Sequence, residues 1–437
     1  MPPDDLRASE RVVPATVAAS LAARLKRFRG RRRFISYAES GEVARELDAW
    51  LEDVEAQLLG SDPATAWKLV ERFIRADEQI LGGADDSNGS IGDAFRRACG
   101  LWQRAAAALP ADPAWVERIR ALHAGNAYGT RDAILDEAAT RLSELELRRL
   151  ARIYEQEALA APKDDKEYRE LTASSAMGQV ARALRDAALY ERSVRIRSPK
   201  LNDLQAVDVA EVYLRCGPVE RAVELLVGVD DERVRDERLE LLAQAHEKLG
   251  DRAALLGVRR QLWEGSLGAR RFREYVALLP PAEQEAARRQ ALERAERSDA
   301  PVAAGAFLLA LGEDEQAGAL VLRLRDRLGS AFYEHLRTLA QRLEKAGQPV
   351  AAVACYRALA DQILVAGRST AYHHAKRYVD RSAALDVAVR DERELPAHAR
   401  YLAQLRERHP RKASFWKLLA PRGSESAGAK ASGADGM

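Results

Sequence analysis

The densest chemistry in this 437-residue sequence is ionic. Seven of the ten residues from Arg24 to Arg33 are basic: Arg24, Lys26, Arg27, Arg29, Arg31, Arg32 and Arg33, with Phe28 and Phe34 interleaved. Cations beside flat rings are the mixture that contacts phosphates and stacks on bases. The same run suits a helix C-terminus, where the macrodipole favours positive charge, and a solvated face is the preferred reading. A second mixture spans 406–417, with Arg411 and Lys412 beside Phe415 and Trp416. It fits nucleic acid, an acidic peptide, or the terminal cap of a repeat array with rings inward and charges outward; the cap is preferred.

The loop ADDSNGSIGDAF (84–95) invites a calcium reading through Asp85, Asp86 and Asn88. An EF-hand needs carboxylates at its first and twelfth positions, and Ala84 and Phe95 stand there, so that motif is rejected. Ser90 or a nearby Asp is expected to cap the following helix, with a weaker oxygen-ligand cation site, or a partner contact through Asp85 and Asp86, as the other readings. His373 and His374 are adjacent, about 100° apart on a helix, and His398 and His409 stand eleven apart; packing or capping roles are expected of them rather than a metal site. Cys99, Cys216 and Cys355 form no zinc spacing and no disulfide framework, which fits a reducing cytoplasm. No phosphate loop, nucleophile elbow or dinucleotide fingerprint is present, so no catalytic residue, cofactor or metal is expected, and the protein is not expected to be an enzyme.

The elements that must carry these groups are helices. Ala, Leu, Arg and Glu dominate, and alternating strand patterns are absent. The apolar stripe Val43, Leu47, Trp50, Leu51, Val54, Leu58 marks a helix over 41–59. Asp62-Pro63 and Asp112-Pro113 read as helix starts, and Ser143 with Glu146 as a capping box. The first helix is expected over 15–28. Residues 161–170 are polar and read as a loosened junction. RRRFIS (31–36) imitates a twin-arginine export signal, but charged residues follow instead of an apolar segment, so export is not expected. The longest uncharged run, 300–312, is too short to span a bilayer, and no membrane partner is expected. A net charge of +2 argues against coating nucleic acid along the whole chain.

From 204 to 359 the pattern repeats. Gly217, Gly250, Gly312 and Gly347 are spaced by 33, 62 and 35 residues, with Pro280-Pro281 standing 30 after Gly250 where a turn is missing. Small residues precede each glycine by seven (Ala210, Ala243, Gly305, Ala340), and larger ones by four (Tyr213, His246, Leu308, Leu343). Five after it stand Ala222, Leu255, Ala317 and Ala352. A period near 34 residues belongs to helix–turn–helix arrays. VAEVYLRCGPVERAVELL (209–226) and LAQRLEKAGQPVAAVACYRAL (339–359) resemble tetratricopeptide repeats. The expected fold is therefore all-α, a tetratricopeptide-like solenoid of antiparallel helix pairs. Its expected parts are a flexible terminus 1–12, an N-terminal helical region 13–200, repeats 201–366, capping helices 367–419 and a disordered tail 420–437.

Residues 32–59 with 84–95, and the ending 375–385 with 398–416, resemble a bacterial family known only as a domain of unknown function. The ending is also similar to the helical tail of SWIM-type zinc-finger proteins, whose finger needs a CxC pair and a Cys-x-His that this chain lacks. The resemblance implies a helical-repeat protein without an assigned activity. The expected function is a cytoplasmic scaffold binding a protein or peptide partner. The alternative is nucleic acid held by the patches at 24–33 and 406–417.

Overall fold

Several helices begin where a side-chain oxygen meets backbone N–H groups that no earlier turn can satisfy. Asp62 accepts the Thr65 N–H at 3.1 Å, with Pro63 as the first helical residue. Ser143 and Glu146 cap each other's backbone, as do Asn202 and Gln205. Glu39 accepts the Ser36 N–H at 3.1 Å, so the helix expected from residue 41 starts earlier, at Tyr37, and runs to Val54 before a π-turn over Glu55–Leu59. Asp112 accepts the Ala114 N–H at 2.9 Å, and the helix it introduces starts at Trp115.

In this computed structural model the described residues are 4–30, 33–160, 166–391 and 394–420, with side chains described for 16–30, 33–160, 169–391 and 394–420. Among them the structure is all-α, with helices packed on their chain neighbours and no strand; Ile35 and Ala84 form an isolated parallel bridge. The first helix spans Asp4–Arg29, so helix reaches into the stretch expected as a flexible terminus. Asp4 and Asp5 stand at its N-terminal end, where the dipole favours acids. Arg31, Arg32 and the tail 421–437 lie outside the described residues.

The chain forms two compact units, 1–250 and 251–437, each with its own core. In the first, Trp50 stacks on Phe73 at 5.0 Å between ring centres, and Phe73 meets Phe95 at 4.8 Å. The expected junction at 161–170 separates no domains: helices Glu144–Leu159 and Lys166–Leu184 pack on each other within this unit. Helices Asp203–Cys216 and Val219–Val227 pair near its end.

In the second unit, Trp263, Phe272 and Phe307 meet at 4.9–5.7 Å. Helix Pro301–Ala310 pairs with Asp314–Arg323, and Tyr333–Lys345 pairs with Pro349–Ala366. First helix also packs on first helix, and second on second, which is how helix-pair repeats stack. Pro349–Ala366 is long and apolar enough to cross a membrane by composition, but it is the unit's central core helix, 61% buried.

The repeat glycines all stand at helix ends. Gly250, Gly312 and Gly347 have φ of 69°, 80° and 71°, the left-handed region that suits glycine. Gly217 departs from that expectation: its φ is −127°, extended backbone open to any residue. Close approach explains it, since a Cβ there would lie 2.6 Å from Tyr213 Cδ1 and 2.8 Å from Ala187 Cβ. The small positions Ala210, Ala243, Gly305 and Ala340 are buried, as are Ala222, Ala317 and Ala352; Leu255 and His246 are half-buried.

Candidate functional site

Stacking first helix on first helix leaves a groove in the second unit. Helix Pro301–Ala310 buries Ala304, Gly305, Phe307 and Leu308. Gly305 allows the close fit, since a Cβ there would come within 2.9 Å of Val321 Cγ2 and 3.4 Å of Leu339 Cδ1. The opposite side of the same helix presents Val302, Ala303 and Ala306, whose short side chains floor a cavity of about 610 Å³. Its other wall comes from the start and inner face of Tyr333–Lys345: Phe332, His335, Leu339 and Arg342.

Phe332, at the N-cap of that helix, is 68% exposed, and its ring meets His335 at 5.2 Å. Large exposed rings beside an apolar hollow mark contact surfaces more often than isolated surface apolars do. At one end of the groove Asp299 and Arg327 satisfy each other at 3.0 Å. Arg342 lies half-buried in the last turn of its helix, and among the described residues its guanidinium meets no carboxylate.

The structure scatters the residues singled out by sequence. Arg24 is tied to Asp53, and Arg33 to Glu39 at 2.9 Å. Lys26, Arg27 and Arg29 are exposed and, among the described residues, have no acidic partner. Phe34 and Tyr37 stand exposed nearby in sequence, at 60% and 58%. Asp86 accepts the N–H groups of Ile91 and Gly92 at 2.9 and 2.8 Å, capping the helix Ser90–Ala107, while Asp85 accepts the Ser87 N–H at 3.2 Å. Asp85 and Asp86 are thus engaged by backbone, and Asp93 pairs with Arg96.

Near the C-terminus, Phe415 and Tyr401 are buried, and Trp416 donates to the His409 carbonyl at 2.9 Å. Arg411 is exposed and Lys412 half-buried. His373 and His374, expected to diverge, lie with ring centres 3.8 Å apart. His398 and His409 flank the helix His398–Arg408, about 16 Å apart along its axis, too far to share a ligand. Among the described residues no group of three or more His, Cys, Asp or Glu is placed to hold a metal. Burial pushes the Cys99 thiol up to about 12, with the Asp77 charge adding to it, and burial raises Cys355 as well, so neither presents a thiolate.

Two constellations escaped the sequence reading. A second hollow, of about 650 Å³ in the first unit, is lined by two ion pairs, Arg97 with Asp48 and Arg104 with Glu55, and by Glu52 and Glu137. Deeper lies a buried polar network. Arg131 donates to both oxygens of Asp77 at 2.8 and 2.6 Å and to the Leu122 carbonyl at 3.0 Å. His123 sits between Asp132 at 3.2 Å and the Tyr154 hydroxyl at 3.0 Å. Asp77 is 1% and Arg131 5% exposed, and their hydrogen bonds, with those of Asn126, tie the 124–132 loop to the core. No linear spacing announces it, because Asp77 and Arg131 meet only after folding.

A profile described as "Family of unknown function (DUF6880)" matches residues 6–418. None of the curated proteins matches. Among solved structures, a "Circular tandem repeat protein with novel repeat topology and enhanced subunit contact surfaces" is 14% identical over 93% of this chain and 99% of that one, with a TM-score of 0.18. A superposition that poor says nothing of this chain's fold, which rests on its own helices.

Proposed function

The chain belongs to this family of unknown function, and on that premise we propose that it is a helical-repeat scaffold holding a protein or peptide partner in the groove of its second unit. One observation carries the reading: Phe332, 68% exposed, stands over a floor of small side chains in a groove whose far end holds Arg342, which has no acidic partner among the described residues. Such a cavity falls within the roughly 300–1,000 Å³ typical of ligand clefts. The protein acts by binding, without catalysis or cofactor. It works in the cytoplasm, where its three free cysteines stay reduced.

The test is a photo-crosslinking residue placed at Ala303 in cells, with one at Leu145 in the first unit as control. A polypeptide adduct specific to position 303 and lost on Phe332→Ala is expected. Equal adducts at both positions, or adducts indifferent to Phe332, would overturn the reading.

A second reading has its own observation. Lys26, Arg27 and Arg29 are exposed cations without acidic partners among the described residues, close in sequence to the exposed rings of Phe34 and Tyr37. That surface suits a nucleic-acid backbone. The net charge of +2 weighs against it as the main activity.

A further inference from the structure

The groove's charges are not balanced, and the imbalance says what fills it. Asp299 and Arg327 face each other at 3.0 Å, and Arg327 donates as well to the Asp299 carbonyl at 3.3 Å, so that end is self-satisfied. Arg342, at the other end of the wall, has no anionic partner among the described residues. A half-buried guanidinium is a planar fork of donors whose natural complement is a carboxylate accepting two bonds. Between these ends the lining is mostly apolar, with Val302, Ala303, Ala306, Ala331, Phe332 and Leu339 beside the polar Ser330, His335 and Thr338. That is a surface suited to one or two apolar side chains.

The helix fixes the spacing. Phe332 and Arg342 are ten residues apart along Tyr333–Lys345, which at 1.5 Å per residue is about 15 Å. An extended chain covers that distance in about four residues. A nucleic acid is a poor fit, because its backbone needs a row of cations and the groove offers one uncompensated guanidinium.

We infer that the groove takes an extended acidic polypeptide segment carrying an aromatic or aliphatic anchor and, about four residues from it, an Asp or Glu side chain. The anchor packs on Phe332 and His335 above the floor at Val302 and Ala306, and the carboxylate pairs with Arg342. This rests on the scaffold reading and adds the chemistry of the partner.

A random dodecapeptide library displayed on phage and selected against the full chain tests it. Enriched peptides should share an apolar anchor and an acid about four residues away. A synthetic consensus peptide followed by fluorescence polarisation should bind about tenfold more weakly to Arg342→Ala, and less weakly to Arg342→Lys. Phe332→Ala should weaken it too, and Ala306→Trp should block the floor; circular dichroism checks that each variant keeps its helix content. Enriched peptides that are basic or uncharged, but blocked by Ala306→Trp, would overturn the acidic partner and leave the groove reading standing. No enrichment, or binding indifferent to both Ala306→Trp and Phe332→Ala, would overturn both. Oligothymidine that binds more tightly than any selected peptide, through Arg342, would overturn the polypeptide assignment.

Discussion

Arg131 is a guanidinium removed from water, and its worth depends on Asp77 being there. Arg131→Ala would strand a buried carboxylate, so it should cost about 3–5 kcal/mol, read as a lower denaturant midpoint. The double change Asp77→Leu with Arg131→Met removes both charges together and should cost less than Arg131→Ala alone. Glu191 gives a pH signature. Burial pushes its carboxyl upward, but hydrogen bonds from Arg221, Tyr213 and Arg195 outweigh that and hold it down at about 2. The folded value lies below the ordinary 4.5, so the unfolded chain takes up the proton first. The stabilisation is therefore complete above pH 4.5 and disappears as pH falls from there towards 2. The urea midpoint of the wild type should fall more steeply through that window than that of Glu191→Gln; parallel curves would remove Glu191 from the account.

At the scale of the element, two glycines that look alike in sequence differ in physics. Gly250 is required by its left-handed φ of 69°, and a Cβ there meets open space. Gly217 is required by contact, with Tyr213 Cδ1 only 2.6 Å from where a Cβ would sit. Gly217→Ala should therefore cost about 1–3 kcal/mol through overpacking, and Gly250→Ala about 1 kcal/mol through backbone strain. Asparagine separates the causes. It adopts the left-handed region readily, so Gly250→Asn should be milder than Gly250→Ala, while Gly217→Asn should be worse than Gly217→Ala. Ala352, fully buried in helix Pro349–Ala366, makes the same point for a helix pair: Ala352→Leu should cost about 1–3 kcal/mol. An unchanged denaturation midpoint would show that the pair has room there.

At the scale of the molecule the question is charge. With 69 basic and 67 acidic residues, a large share of the arginines are spent on ion pairs within the fold. Long-range attraction for a polyanion is accordingly small. Mixed-sequence DNA and RNA should bind weakly in gel-shift titrations at about 0.15 M salt. If binding is instead tight, and the changes Lys26→Ala, Arg27→Ala and Arg29→Ala together flatten the slope of log affinity on log salt by about two to three units, the nucleic-acid reading replaces the scaffold.

What the amino-acid sequence determined by itself is local: the all-α class, helix starts at Pro63 and Glu144, and turns at Gly312 and Gly347. Each follows from interactions between residues a few positions apart, such as Ser143 with Glu146, or an apolar stripe repeating every turn. Tertiary structure decided the rest. The two compact units divide after Gly250, in the repeat whose fifth residue past the turn is Leu255 where its neighbours carry Ala. Phe332 and Arg342 belong to an unremarkable helix until Val302 and Ala306 face them across a groove. The basic run at 24–33 was the loudest signal in the sequence, and folding gave two of its members, Arg24 and Arg33, acidic partners. Charge composition is additive along a chain, whereas pairing and concavity depend on which surfaces meet, and that is settled only when distant helices pack.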